Sequence, residues 1–204
     1  SSTNYLYTTY ATTGANDVVP STKKNRKKGQ LKIIVVGSGA YCIGSSVEFD
    51  WSCVNVVKTL RAKGHETIML NFNPETVSTG YDMCDTLYFD EISVERLRDI
   101  CLVEKPDGVI ISMGGQIANN IATKLKAVGI PIMGTDPDNI DRAEDRNKFS
   151  AMLDILNIEQ PAWTHSVSVE KSIAFAEKVG YPVIVRPSYV LSGAAMRICH
   201  NDSE

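Results

Sequence analysis

Arg186 closes the apolar run of "YPVIVRPSYVLSGAAM" in a position that core packing alone does not explain. A guanidinium at the end of a buried strand is expensive to leave unpaired, so it must meet an anion, a carboxylate or solvent. Beyond it the small-residue turn Leu191 to Ala195 exposes several backbone N–H groups able to cover phosphate oxygens; a plain hairpin is the alternative. Arg146 lies in a second charged stretch, "DRAEDRNK", whose spacing alone reads as a helix start with Asp141 and Asp145 opposed by Arg142 and Arg146.

A third candidate is "GSGAYCIG", a glycine-rich turn after the apolar strand Ile33 to Val36. A dinucleotide fingerprint needs glycines at the first, third and sixth places and an acid at the end of the second strand. Here the third glycine, Gly44, falls at the eighth place, and the second strand ends in Asn71-Phe72-Asn73. Both tests fail, and a structural turn is the expectation. A helix N-terminus after such a turn can still receive an anion, yet Glu48 and Asp50 in its first turn favour the helix dipole and disfavour phosphate. Two more loops follow candidate strands, "NFNPETVSTGYD" and "SMGGQIANN". Their Asn, Ser, Thr and Gly residues suit either a close ligand approach or ordinary turn and capping chemistry.

The elements that must position these groups alternate from residue 31 onward. Candidate strands at 31–36, 66–71, 86–89, 108–112 and 130–133 are separated by helical stretches, the pattern of a parallel sheet with crossover helices. Val54, Val57, Leu60 and Arg61 repeat at helical spacing, and Gly64 stops that helix. Ile92 to Val103 and Ile117 to Val128 read as further crossovers. In 144–157, Phe149, Met152, Leu153 and Leu156 form one apolar helix face; a second helix at 168–179 leads through Gly180 to two strands. The division expected is a linker or tail at 1–30, an α/β Rossmann-like domain at 31–140 and a second unit at 141–204. A helix pair and two strands bury too little to be a complete domain, so the sequence is expected to be a fragment.

Composition narrows the function classes. A net charge of -3 gives no general drive toward nucleic acid or anionic membrane. Lys23, Lys24, Arg26, Lys27 and Lys28 form a local basic run bounded by Pro20-Ser21 and Gly29, read as a solvated connector. No apolar run is long enough to span a bilayer and no signal-peptide core opens the chain, so a cytoplasmic protein is expected. The cysteines Cys42, Cys53, Cys84, Cys101 and Cys199 lack CxxC spacing and read as reduced thiols, mostly buried.

Together and in this order, "GSGAYCIGSSVEFDW", "NFNPETVSTGYD", "SMGGQIANN", "IDRAEDRNKFS" and "YPVIVRPSYVLSGAAM" resemble the large chain of carbamoyl-phosphate synthetase. "NPETVST" and "GSSVEFDW" look like its second, carbamate-phosphorylating half, and "NYLYTTY" is similar to the segment before that half in the eukaryotic multifunctional pyrimidine-pathway protein. The resemblance implies a pre-ATP-grasp domain over 31–140, Rossmann-like without a dinucleotide site, followed over 141–204 by the incomplete start of an ATP-grasp domain. It further implies that Arg146 and Arg186 contact nucleotide phosphates and act catalytically, and that Ser192 and Gly193 belong to the glycine-rich loop over those phosphates.

The activity so implied is phosphoryl transfer from ATP to carbamate, with Mg²⁺ or Mn²⁺, and K⁺ as a further candidate; no metal ligand is named within the chain. Implied partners are a glutaminase domain or subunit, the first synthetase half, and fused dihydroorotase and aspartate carbamoyltransferase, with no nucleic acid and no membrane. The fragment alone is expected to be inactive. Three positions depart from relatives: Cys42 replaces a basic residue, Gly80 an aspartate and Ser192 a glycine. The competing readings are a non-catalytic nucleotide- or partner-binding module and another ATP-grasp ligase such as a biotin carboxylase.

Overall fold

The computed structural model describes the backbone of residues 5–6 and the whole of residues 27–189 and 193–204. It divides into two compact units, Ser1–Pro137 and Asp138–Glu204.

The first unit is built on β2 (Lys32–Val36), β3 (Glu66–Asn71), β4 (Thr86–Phe89), β5 (Gly108–Ile110) and β6 (Ile132–Met133). With β1 (Tyr5–Leu6), which lies in the stretch read from composition as a tail, they form a six-stranded sheet ordered β1-β4-β3-β2-β5-β6. Every pairing is parallel. Strands covered on both faces read as unbroken apolar runs, and β2 and β3 are buried at every residue.

Helix α1 (Val47–Ala62) links β2 to β3, α2 (Val94–Glu104) links β4 to β5, and α3 (Gly115–Ala127) links β5 to β6. The chain moves one way along the sheet through α1 and the other way through α2 and α3, so right-handed crossovers put α1 on one face and the other two on the opposite face. Side-chain alternation agrees. Cys53 and Val57 of α1 pack with Val35, Met69 and Leu87, with Leu60 against the cluster, while α2 and α3 lie against each other. Helix ends follow local chemistry: the Ser93 hydroxyl accepts from Arg96 N to start α2, and Gly64, at φ 83, turns the chain out of α1. Gly64 N donates to Arg61 O.

A buried ionic group ties the amino ends of the strands together. The Lys32 ammonium sits 2.8 Å from Glu104 Oε2 and 3.6 Å from Glu66 Oε1, and the Tyr88 hydroxyl donates to Glu104 Oε1 at 2.7 Å. Lys32 and Glu104 are fully buried.

The second unit holds α4 (Pro137–Glu144), α5 (Arg146–Ile155), α6 (Val169–Val179) and the antiparallel pair β7 (Val183–Val185) and β8 (Arg197–Cys199). The helix expected over 144–157 is α5, two residues shorter at each end and started by Asp145, and α4 precedes it where no separate helix was expected. The Asp145 carboxylate accepts from Asn147 N and Lys148 N and starts α5 afresh, so a cap outcompetes helix continuation. The apolar face predicted for this helix is only partly covered: Met152 and Leu153 are half-buried, Phe149 is 40% exposed and Leu156 58%.

All five cysteines are free: Cys53, Cys84 and Cys199 are buried, Cys101 is half-buried and Cys42 exposed. Burial pushes the Cys53 thiol up to about 12, and the Cys84 and Cys101 thiols to about 11. Among the described residues, no helix is long and apolar enough to cross a membrane.

Candidate functional site

The first place to look is the carboxyl end of the parallel sheet, where the chain reverses between β2 and β5, because open α/β sheets gather ligands at that crevice. Here protein atoms fill it. A Cβ on Gly37 would lie 2.4 Å from Asn71 Cγ, and one on Gly39 would lie 2.5 Å from the Phe72 ring and 2.9 Å from Ile117. One on Gly114 would lie 2.4 Å from the Gly37 carbonyl. The two glycine loops therefore pack against each other, and Gln116 N donates to the Gly44 carbonyl at 3.2 Å. These glycines make room for neighbouring protein, which is the physical content of the failed fingerprint.

Polar groups of the "NFNPETVSTGYD" loop are likewise spent internally. Asn71 Oδ1 accepts from Gly39 N and Phe72 N, both at 2.9 Å, and its amide donates to Ser78 Oγ. Asn73 Oδ1 accepts from Glu75 N, and Thr79 Oγ1 donates to the Asn73 carbonyl. Ser78 N reaches Asp50 Oδ2 at 3.2 Å. The turn-and-capping reading holds for this loop.

The second unit presents its charges outward. Arg186 follows β7 directly and is exposed; it makes no hydrogen bond or ion pair with a described residue. Because Val185 pairs with Arg197, Arg186 stands at the turn end of the β7–β8 hairpin. Gly193 lies in the same turn at φ 71, where, among the described residues, a Cβ would meet nothing nearer than Met196 Sδ at 3.9 Å. Ser192 lies outside the described residues.

Arg146, the first residue of α5, is half-buried and donates from Nη1 to the Ser188 carbonyl at 3.0 Å. It thus reaches the turn that Arg186 begins. Sequence spacing gave no sign that Tyr189 and Asp141 meet. The Tyr189 hydroxyl donates to Asp141 Oδ1 at 2.9 Å, and Asp141 Oδ2 pairs with the Lys148 ammonium. The Lys148 hydrogen bond, then that from Tyr189, hold the Asp141 carboxyl below the usual carboxylate range; accepting from Tyr189, Asp141 holds that phenol above its own. Only the fold brings these two residues together. A shallow hollow lined by Tyr181, His200, Asn201, Asp202 and Ser203 lies at the opposite end of the hairpin and carries no cationic pair of this kind.

An exposed guanidinium and a second guanidinium fixed to the same turn fit the phosphate chain of a nucleotide. Among the described residues, no cluster of three His, Cys, Asp or Glu side chains could hold a metal ion.

The arrangement is that of a Rossmann-like pre-ATP-grasp unit followed by ATP-grasp sequence. An N5-carboxyaminoimidazole ribonucleotide synthetase from Thermotoga maritima shares the fold, with a TM-score of 0.56 at 16% identity, covering 86% of this chain and 42% of that one. Residues 29–142 match the carbamoyl phosphate synthase preATP-grasp domain, and residues 145–204 the carbamoyl-phosphate synthase L chain, ATP binding domain. The chain belongs to the carbamoyl-phosphate synthase large-chain family. It is 51% identical over 203 residues to the mitochondrial arginine-specific large chain of Neurospora crassa, covering 99% of this chain and 17% of that one. It is 52% identical over 202 residues to the multifunctional protein CAD of Squalus acanthias, covering 99% of this chain and 9% of that one. The chain thus spans less than a fifth of either relative's length.

Proposed function

We propose that this chain is the front of the second synthetase half and takes part in the ATP-dependent phosphorylation of carbamate to carbamoyl phosphate. The observation that carries the reading is the approach of Arg146 and Arg186 to one turn, within the residues matched by the ATP-binding family model. "NPETVST" and "GSSVEFDW" support the second half over the first.

When bound, ATP supplies the phosphoryl group, and a divalent cation, Mg²⁺ or Mn²⁺, balances its charge. Arg186 then grips a phosphate oxygen from the end of β7. Arg146 contacts the phosphates while holding the turn by Ser188, and the backbone at Ser192 and Gly193 covers them. Guanidinium groups fixed before the reaction stabilise charge that develops during transfer without having to reorganise. Metal ligands are assigned to no residue of this chain, and K⁺ is assigned to no residue either. Glutamine hydrolysis in a glutaminase and the first synthetase half supply the carbamate. The likeness to a multifunctional protein supports fusion to further catalytic domains; dihydroorotase and aspartate carbamoyltransferase as those domains, a role in pyrimidine biosynthesis and a cytoplasmic location belong to the same proposal. These residues alone are inactive on this reading.

The test is ATP formation from ADP and carbamoyl phosphate by the complete natural protein. Arg186→Ala slows this at least about tenfold, from the loss of one charge-assisted contact. An unchanged rate overturns the assignment of Arg186. Silence of the folded, Mg²⁺-supplied wild-type protein leaves the non-catalytic nucleotide- or partner-binding module.

A further inference from the structure

Two consecutive residues beyond β7 are held by side chains from α4 and α5. Ser188 is held through its carbonyl by Arg146, and Tyr189 through its hydroxyl by Asp141, contacts that span 42 and 48 residues of sequence. Asp141 is itself steadied, because the Lys148 ammonium occupies its other oxygen. The Tyr189 side chain is not there to fill a core: the residue is 56% exposed. What a tyrosine brings to this place is a hydroxyl at the end of a rigid ring, long enough to reach a fixed acceptor on α4.

We infer that Tyr189 is a positioning residue, whose hydroxyl bond to Asp141 fixes the stretch that follows Arg186 and so holds this arginine where it receives phosphate; this rests on the nucleotide reading above. A turn that is loose before binding must be ordered by the ligand, and that entropy is subtracted from affinity. Pinning Ser188 and Tyr189 beforehand removes part of the loss. It also sets the direction in which Arg186 leaves β7, since only Pro187 separates that arginine from the pinned pair. Lys148 has a second use, because pairing with Asp141 offsets a carboxylate charge that would otherwise oppose the phosphates.

The experiment measures ADP affinity by calorimetry on the complete natural protein, together with KM and kcat for ATP formation from ADP and carbamoyl phosphate. Tyr189→Phe keeps the ring and removes the bond. It weakens ADP about fivefold in both Kd and KM, with kcat held within about twofold. Asp141→Ala does the same, and the double variant is no worse than either single one, because both remove one interaction. Asp141→Asn, whose amide oxygen can still accept from Tyr189, keeps most of the affinity. Tyr181→Phe removes a similar exposed contact, Tyr181 to Asp202 at 2.5 Å, and leaves ADP affinity unchanged.

Wild-type affinity in Tyr189→Phe, or losses that multiply in the double variant, overturns the positioning role. So does an equal loss in Tyr181→Phe, which would report a general loosening of the hairpin. Arg186→Ala, measured alongside, separates the two readings. If it weakens ADP while Tyr189→Phe does not, the positioning role alone falls; if neither does, the nucleotide reading falls with it.

Discussion

The two units handle charge in opposite ways. In the first, Lys32, Glu66, Glu104 and Tyr88 satisfy one another inside the fold, and the glycine loops at the carboxyl end of the sheet close on protein atoms. In the second, Arg186 faces solvent, and Ile184, Val185 and Ile198 of the hairpin are all more than half exposed. A sheet whose glycine loops close on protein atoms is a scaffold. A hairpin that leaves an exposed arginine at its turn is equipped to receive something. The crevice most suggestive by topology is therefore filled, and the candidate site lies in the smaller unit.

The sharpest way to break this contrast is at Lys32. Lys32→Met keeps most of the side chain's length but takes the ammonium away from Glu104, fully buried, and Glu66, nearly so. Removing one partner of a buried ion pair destabilises by about 3–5 kcal/mol. Hydrogen exchange of the β2 and β3 amides in the complete protein reads that loss locally. Lys32→Met/Glu104→Gln should recover part of it, since the buried charge of Glu104 is then gone. Protection that survives Lys32→Met unchanged would show that the network contributes nothing to holding the sheet.

Next in size is Gly37→Ala. The new Cβ would drive into Asn71, whose side chain holds Gly39 N, Phe72 N and Ser78 at once. Overpacking plus disrupted buried hydrogen bonds gives a loss of about 2–3 kcal/mol. Gly64→Ala is the control: nothing lies within 4 Å of its Cβ, and only the positive φ of 83 penalises it, by about 1 kcal/mol. If Gly37→Ala left stability intact but abolished nucleotide binding, the loop would be a ligand cradle after all, and the comparison between units would reverse.

Much of the first unit was legible in the sequence because its strands are buried on both faces. The runs at 66–71 and 86–89 coincide with β3 and β4, and 31–36 differs from β2 by one residue. The ends of 108–112 and 130–133 were overdrawn, since apolar residues continue past the last ladder pairing of β5 and precede that of β6. At the candidate site, Arg186 could be found because a charge closing an apolar strand is locally conspicuous. The apolar period Phe149, Met152, Leu153 and Leu156 marked α5 alone and left α4 unmarked, although Asp145 ahead of that period is itself an N-cap signal. The contact between Tyr189 and Asp141 could not be found, because 48 residues separate them. What fills the crevice was invisible for the same reason: Phe72 and Ile117 meet Gly39 only in the folded chain.

The smallest predicted effect tests whether burial, and not the mere pairing of charges, separates Lys32 from its surface counterparts. Lys126 contacts both oxygens of Asp136, at 2.9 and 3.0 Å, with side chains 42% and 49% exposed. Lys126→Ala removes a pair of better geometry than the Lys32–Glu66 contact, yet water solvates Asp136 once its partner has gone. Exposed pairs contribute about 0–1 kcal/mol, so hydrogen exchange in α3 should shift by no more than that, and less at high salt. A loss matching that of Lys32→Met would mean that pairing itself stabilises this unit, and the division between an internally satisfied scaffold and an outward-facing site would need another basis.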